Sequence, residues 1–312
     1  MIETKNSELE IEIDIANEKA LQNSRSKPYE TKELALQNLE KAQSIGYVMG
    51  EGKSHLILGA CYLWLSEYDV ALEHCMMAKH ILTPLKAYSL LGQNEYNIGT
   101  IFYYLSDYNN ALDASIEALQ YYKQSGDEVG VADAYNGVGS VYYAIDQNDK
   151  ALEYLLKSKA ICEQHNADEI LQKVMDGLGQ TYLNLKQYEA AESALLECLE
   201  LTDKNNSPHV KAHCYNKLGL LNFMKGNYTI ALDFYNKSLF IREQIQFKNG
   251  EAACHSNIGA TYQKLGQYEK AEKHLYEALE IAQSVSAKNI EAETLLRISE
   301  LCEVQNETEK AL

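Results

Sequence analysis

Six glycines stand at one interval of 40 residues: Gly59, Gly99, Gly139, Gly179, Gly219 and Gly259. Twelve residues after each comes an alanine, at Ala71, Ala111, Ala151, Ala191, Ala231 and Ala271, and Ser299, in the next phase, keeps Ala311. An aliphatic residue precedes every glycine (Leu58, Ile98, Val138, Leu178, Leu218, Ile258). An aromatic follows three later at Tyr62, Phe102, Tyr142, Tyr182 and Tyr262, while Asn222 breaks the rule with Phe223 beside it. Such a fixed period marks a repeat array, whose units cover their apolar faces only by stacking on one another.

Inside one unit the spacing is helical. Val131, Ala132, Tyr135, Val138 and Tyr142 recur at three- and four-residue steps, and Ala151, Leu152, Leu155 and Ala160 continue the pattern beyond a break at Asp146-Gln147-Asn148-Asp149. That break divides a unit into two helices, and similar breaks fall at Ser66-Glu67, Ser106-Asp107, Lys225-Gly226-Asn227 and Leu265-Gly266-Gln267. A second set, Ser125-Gly126-Asp127, His165-Asn166, Asn205-Asn206-Ser207 and Lys248-Asn249-Gly250, separates one unit from the next. Pro28, Pro84 and Pro208 all sit at breaks, where they interrupt no helix. Leu36, Leu39 and Gly46 carry a weaker form of the pattern backwards, so residues 1–45 read as a degenerate first repeat or N-terminal cap and residues 46–312 as the regular array. Ala311-Leu312 matches Ala71-Leu72, which begins a second helix, so the last repeat is expected to be incomplete and uncapped. Glycine and the alanine twelve later are expected where the two helices of a pair approach most closely.

These residues resemble the tetratricopeptide repeat, with its aliphatic-Gly-x-x-Tyr on the first helix and Ala-x-x-x-aromatic-x-x-Ala on the second. The match is clearest at Ile258-Gly259-Ala260-Thr261-Tyr262 followed by Tyr268, Ala271, Leu275 and Ala278. The period is longer than the family's usual 34, and His55, Glu95, Tyr135, Met175, Tyr215 and His255 replace the Trp expected four before the glycine. The long repeat is similar to those of kinesin light chain, Pins-type adaptors and bacterial peptide receptors. The resemblance implies an all-α, right-handed superhelical solenoid of about eight antiparallel helix pairs, serving as a scaffold that binds an extended peptide or protein segment on its concave wall.

Composition narrows the partners. With 28 Lys and Arg against 45 Asp and Glu, the formal net charge is −17, which opposes binding to nucleic acid or an anionic membrane surface. Seven scattered cysteines argue for a reducing, cytoplasmic setting rather than a disulfide framework. No phosphate loop, no Gly-x-Ser-x-Gly and no His-Glu-x-x-His is present, so neither an enzyme nor a cofactor is expected. The best metal candidate by sequence is His209, His213 and Cys214 with Cys254-His255. Cys214 and Cys254, however, share an inward phase and read as small core residues, as does Cys75 beside His74, so no metal site is expected.

In the family, exposed wall residues fall about six, three and two before the glycine and one, four and five after it. Carried onto this chain, those offsets give Gln93, Tyr96, Asn97, Thr100 and Tyr103; Asn136, Ser140 and Tyr143; Lys173, Gln180 and Asn184; His213, Asn216 and Lys217; and Ser256, Asn257, Gln263 and Lys264. Primary amides can pair with both N–H and C=O of an extended chain, and interleaved tyrosines add apolar contact. Lys173, Lys217, Lys264 and Arg297 would favour an acidic segment towards the C-terminal end. An incomplete last repeat would offer an edge to a second copy, or indicate the regulatory front end of a bacterial signalling enzyme (kinase, nucleotide cyclase or phosphatase) whose catalytic domain lies beyond residue 312.

Overall fold

The computed structural model describes residues 2–204 and 207–311, and every regular element among them is an α-helix. Contacts divide the chain into two compact units, Met1–Ile170 and Leu171–Leu312. The first holds four helical hairpins: α1 (Ile2–Asn23) with α2 (Pro28–Ile45), α3 (Val48–Trp64) with α4 (Tyr68–Leu82), α5 (Tyr88–Tyr104) with α6 (Tyr108–Ser125), and α7 (Glu128–Ala144) with α8 (Asn148–His165). α9 (Asp168–Asn184) begins just before the division and pairs with α10 (Tyr188–Lys204). The second unit continues with α11 (Pro208–Met224) and α12 (Tyr228–Gln244), α13 (Lys248–Lys264) and α14 (Tyr268–Ser284), and ends in α15 (Lys288–Ala311).

The turns keep a period half that of the sequence. Positive φ occurs at residues 46, 66, 86, 106, 126, 146, 166, 186, 226, 246, 266 and 286, one every 20 residues; position 206, with its neighbour Asn205, lies outside the described residues. Each left-handed residue ends one helix and aims the chain into the next. The residue after it closes the turn by donating its N–H five back: Glu67 to Tyr62 O at 2.9 Å, Asp107 to Phe102 O at 2.9 Å and Gln147 to Tyr142 O at 2.9 Å. Within each pair these carbonyls belong to the aromatic, or in the sixth repeat Asn222, three after the repeat glycine.

Hairpins are held shut at the glycines. A Cβ built on Gly59 would lie 2.6 Å from Cys75 Sγ and 3.4 Å from Ala71 O; on Gly139, 2.8 Å from Leu155 Cγ and 3.3 Å from Ala151 O; on Gly259, 2.7 Å from Leu275 Cγ and 3.1 Å from Ala271 O. The six repeat alanines are wholly buried, so glycine and alanine mark the tightest approach of the two helices. The deciding neighbour is the residue 16 after the glycine, which varies from Cys75 and Ser115 to Leu155, Leu195, Tyr235 and Leu275.

Stacking then joins one hairpin to the next. In the first unit Leu63, Ala71 and Cys75 of α3 and α4 pack with Ile98, Ile101 and Ala114 of α5 and α6. In the second, Leu183, Ala191 and Leu195 of α9 and α10 pack with Leu218 and Leu221 of α11. α15 covers the last hairpin, with Leu301 buried against Ala271 and Leu275. The repeat grid places a turn ahead of Ala311, but α15 runs unbroken to that residue. Asn306 stands where the grid elsewhere has a left-handed residue but is helical here, and Glu-Thr-Glu-Lys after it holds no Gly or Pro to end the helix; Leu312 lies outside the described residues.

Gly137, two residues before a repeat glycine, is unlike its neighbour. A Cβ there would make only ordinary contacts, 3.5 Å from Ser115 Oγ and 3.7 Å from Tyr96 Cε2. Gly139→Ala is therefore expected to destabilise the protein by about 2 kcal/mol through overpacking, whereas Gly137→Ala stabilises it by about 0.5–1 kcal/mol by removing helical glycine. Urea midpoints of the two variants check the opposite signs.

Candidate functional site

The first helices of successive hairpins lie side by side, and a 41-residue register relates their polar residues. In the second unit, Lys217 Nζ on α11 donates to Asp176 Oδ1 on α9 at 2.7 Å. Asn257 Nδ2 on α13 donates to Asn216 Oδ1 on α11 at 3.1 Å. Arg297 on α15 donates to Ser256 Oγ at 3.2 Å and Asn257 Oδ1 at 3.0 Å, while its other nitrogen reaches Glu293 at 2.6 Å. In each case the residue two before one glycine position donates to the residue three before the preceding one. Two of the amides expected to grip a ligand's main chain, Asn216 and Asn257, are thus spent on a ladder that ties first helices together.

Ile57 and Gly177 hold the donor position without a donor side chain, and α5 and α7 break the ladder in two further ways. Asn97 faces the register position of Leu56, which has no acceptor, and its Nδ2 is buried without a hydrogen-bond partner. The other break is Gly137, which has no side chain to donate towards Tyr96. There the wall opens into a pocket of about 160 Å³ lined by Tyr96, Gly99, Thr100, Tyr103, Tyr104, Ser115, Asn136, Gly137, Ser140 and Val141. A volume of this order holds one ring-sized group, well below the roughly 300 Å³ at which pockets for whole small ligands begin.

Chemically the pocket is aromatic, with one amide. Thr100, Ser115 and Ser140 give their hydroxyl protons to backbone oxygens four residues back, at 2.8, 2.7 and 2.9 Å. Tyr103 packs edge-on to Tyr104 at 6.0 Å and to Tyr108 at 5.9 Å. Burial, then Tyr108, Tyr143 and Tyr104, raise its hydroxyl pKa and keep it protonated. The row continues outward through Tyr68 and Trp64, with Arg25 stacked 4.7 Å above the Trp64 ring. The Asn136 side chain has no hydrogen-bond partner among the described residues, so one donor pair and one carbonyl remain for a ligand.

Of the residues named from sequence, Tyr96, Thr100, Tyr103, Asn136 and Ser140 meet in this pocket and Tyr143 sits beside Tyr103. Asn216, Lys217, Ser256 and Asn257 meet in the ladder. Half-buried Gln93, Lys173, Gln180 and Gln263 lie outside the pocket, as do buried Asn97 and exposed Asn184, His213 and Lys264. Sequence reasoning missed Gly137, whose signal was a glycine, shared only with Gly177, standing where the later repeats carry Lys217, Asn257 and Arg297. Among the rejected metal candidates, Cys214 is buried and donates to Cys198 Sγ at 3.0 Å, and His209 packs edge-on against Phe247 at 5.7 Å.

The family model of the tetratricopeptide repeat matches residues 89–164, 171–244 and 251–312. The chain is similar in fold to a Rap protein solved in complex with Competence and Sporulation Factor (TM-score 0.68, 17% identity, 94% of this chain and 88% of that one). It is similar also to aspartyl phosphate phosphatase F from Bacillus subtilis (0.60, 18%, 90% and 77%) and to BtubC (BKLC) from P. vanneervenii (0.59, 20%, 71% and 90%). No curated protein matches it. No helix among the described residues is long and apolar enough to cross a membrane.

Replacing Asn97 by Leu should remove an unpaired buried donor and stabilise the fold by about 1 kcal/mol, while Asn257→Leu, which cuts the ladder on both sides, should cost about 1–3 kcal/mol. Chemical denaturation of both variants against the parent chain reads the difference.

Proposed function

We propose that this chain, which belongs to the tetratricopeptide repeat family, is a binding scaffold that takes an extended peptide or protein segment along α5 and α7, seating one apolar side chain of the ligand between them. The observation that carries this reading is the gap at Gly137: where Lys217, Asn257 and Arg297 fill the wall of later repeats, the glycine leaves room for one foreign side chain, with the unengaged Asn136 amide at its edge. Asn136 would pair with the ligand's N–H and C=O, as edge-strand recognition does. The tyrosines supply contact area that loses little entropy on binding. The Rap neighbour, solved with Competence and Sporulation Factor, gives the fold a precedent for holding a bound factor.

The acidic balance of the chain and the bonded state of Lys217 and Arg297 direct the ligand away from nucleic acid and towards an apolar, weakly charged segment in the first unit. A sensory role within a larger signalling protein would use the same wall. No catalytic step is assigned to these residues.

Peptides selected from a random display library on the purified chain should share one apolar or aromatic position. Gly137→Leu fills the pocket and should weaken them by at least about tenfold, or 1.4 kcal/mol. Asn136→Leu should do the same, and Asn216→Ala should leave affinity unchanged. Equal binding by Gly137→Leu, measured by fluorescence anisotropy, would remove the pocket from the function.

A further inference from the structure

A second cluster, distant in role from the tyrosine pocket, lies in the second unit between α13 and α14. His255 Nδ1 and His274 Nδ1 are 3.0 Å apart. Glu277 Oε2 stands 3.1 Å from the first and 3.6 Å from the second. Two imidazole nitrogens and a carboxylate oxygen bound to one tetrahedral zinc at roughly 2.0–2.1 Å lie about 3.3 Å from each other, so the observed triangle is already the size that a metal requires. We propose that His255, His274 and Glu277 form a divalent-cation site of the zinc type, with a fourth position open to water.

Local structure sets the ligands up. His274 and Glu277 are three apart and so share a face of α14, and His255 is delivered opposite them by the partner helix of the hairpin. The His274 ring stacks on Tyr262 at 5.6 Å between centroids and on His255 at 5.2 Å, which fixes both imidazoles. The side chains of His255, His274 and Glu277 are 13%, 22% and 38% exposed, so an ion has a path in from solvent. Burial lowers the pKa of both histidines, so each imidazole is neutral at neutral pH, the form a metal binds. Glu243 and Glu251 add negative potential at His255, partly opposed by Lys273, which lies 3.8 Å from the second Glu277 oxygen. One cation satisfies all three ligand atoms at once, whereas protons must be shared out between them.

Packing alone does not call for histidine here. The same two positions carry Tyr135 with Tyr154, 5.9 Å apart, and Tyr215 with Phe234, 6.1 Å apart. The chain also contains its own control. Five repeats earlier His55 and His74 reproduce the pair, Nδ1 to Nδ1 2.9 Å and centroids 5.2 Å apart, with Tyr62 stacked on His74. Exposed Met77 stands there in place of Glu277, so the pair lacks its carboxylate. Zinc is therefore assigned to the second pair and not to the first.

The full chain, stripped with chelator and dialysed, is titrated with Zn²⁺ by calorimetry and with Co²⁺ by visible absorption. One equivalent per chain is expected, with the intense d–d bands of a tetrahedral ion. Glu277→Met and His274→Phe, which copy residues the chain carries at equivalent positions, should each weaken binding by more than the roughly 10–100-fold that outer-shell partners command. His74→Phe should bind as the parent does. Circular dichroism verifies that each variant stays helical. Absence of a stoichiometric site in the parent, or equal binding in parent and Glu277→Met, overturns the assignment.

Discussion

The structure depends on one recurring close approach: a glycine on a first helix lying against the second helix of its hairpin, at Gly59, Gly99, Gly139 and Gly259 against the backbone oxygen of the alanine twelve residues on. With a Cβ at the crossing the helices would separate, and the residue 16 after the glycine, which fills the space directly above it, would lose its seat. Everything polar on the wall is positioned by that crossing. Because each hairpin closes in the same way, residues at one offset recur at one height, and the 41-residue register of Lys217–Asp176, Asn257–Asn216 and Arg297–Ser256 follows. A pocket arises in such a wall by omission. Gly137 is the residue that omits, and Asn136 next to it is left with hydrogen-bonding capacity to spare.

Much of this architecture was legible from residue type. Glycine and alanine fit a tight crossing where larger residues do not, so their spacing exposes the period directly. Most of the turns were legible at Ser66, Ser106, Gly126, Asp146, Asn166, Gly226 and Gly266, but those at Lys86, Lys186 and Gln246 were not, because the left-handed position is held there by residues without a turn signal. A conformation that many side chains accept at modest cost leaves little compositional trace. At the end of the chain Ala311 fits the grid and Asn306 stands at the turn position, yet α15 runs through both.

The site was half legible. The offsets picked five residues that line one pocket on α5 and α7. They could not reveal that Asn216 and Asn257 would bond to each other, since donors and acceptors on neighbouring helices find partners by register rather than by sequence proximity. The histidine pair was hidden for the same reason. His255 and His274 are 19 residues apart on two helices, a spacing that matches no familiar ligand motif, and only the hairpin brings their nitrogens together.

Within either unit a helix touches chiefly the ones just before and after it, so the native contacts are short-range along the chain. Closing them costs little loop entropy, which favours rapid assembly outward from whichever hairpin forms first. It also means that a tug on an end peels the protein one hairpin at a time. The polar rungs from Lys217 to Arg297 act across those peeling planes as rivets in the second unit, as Lys79 held between Glu95 and Glu117 does in the first.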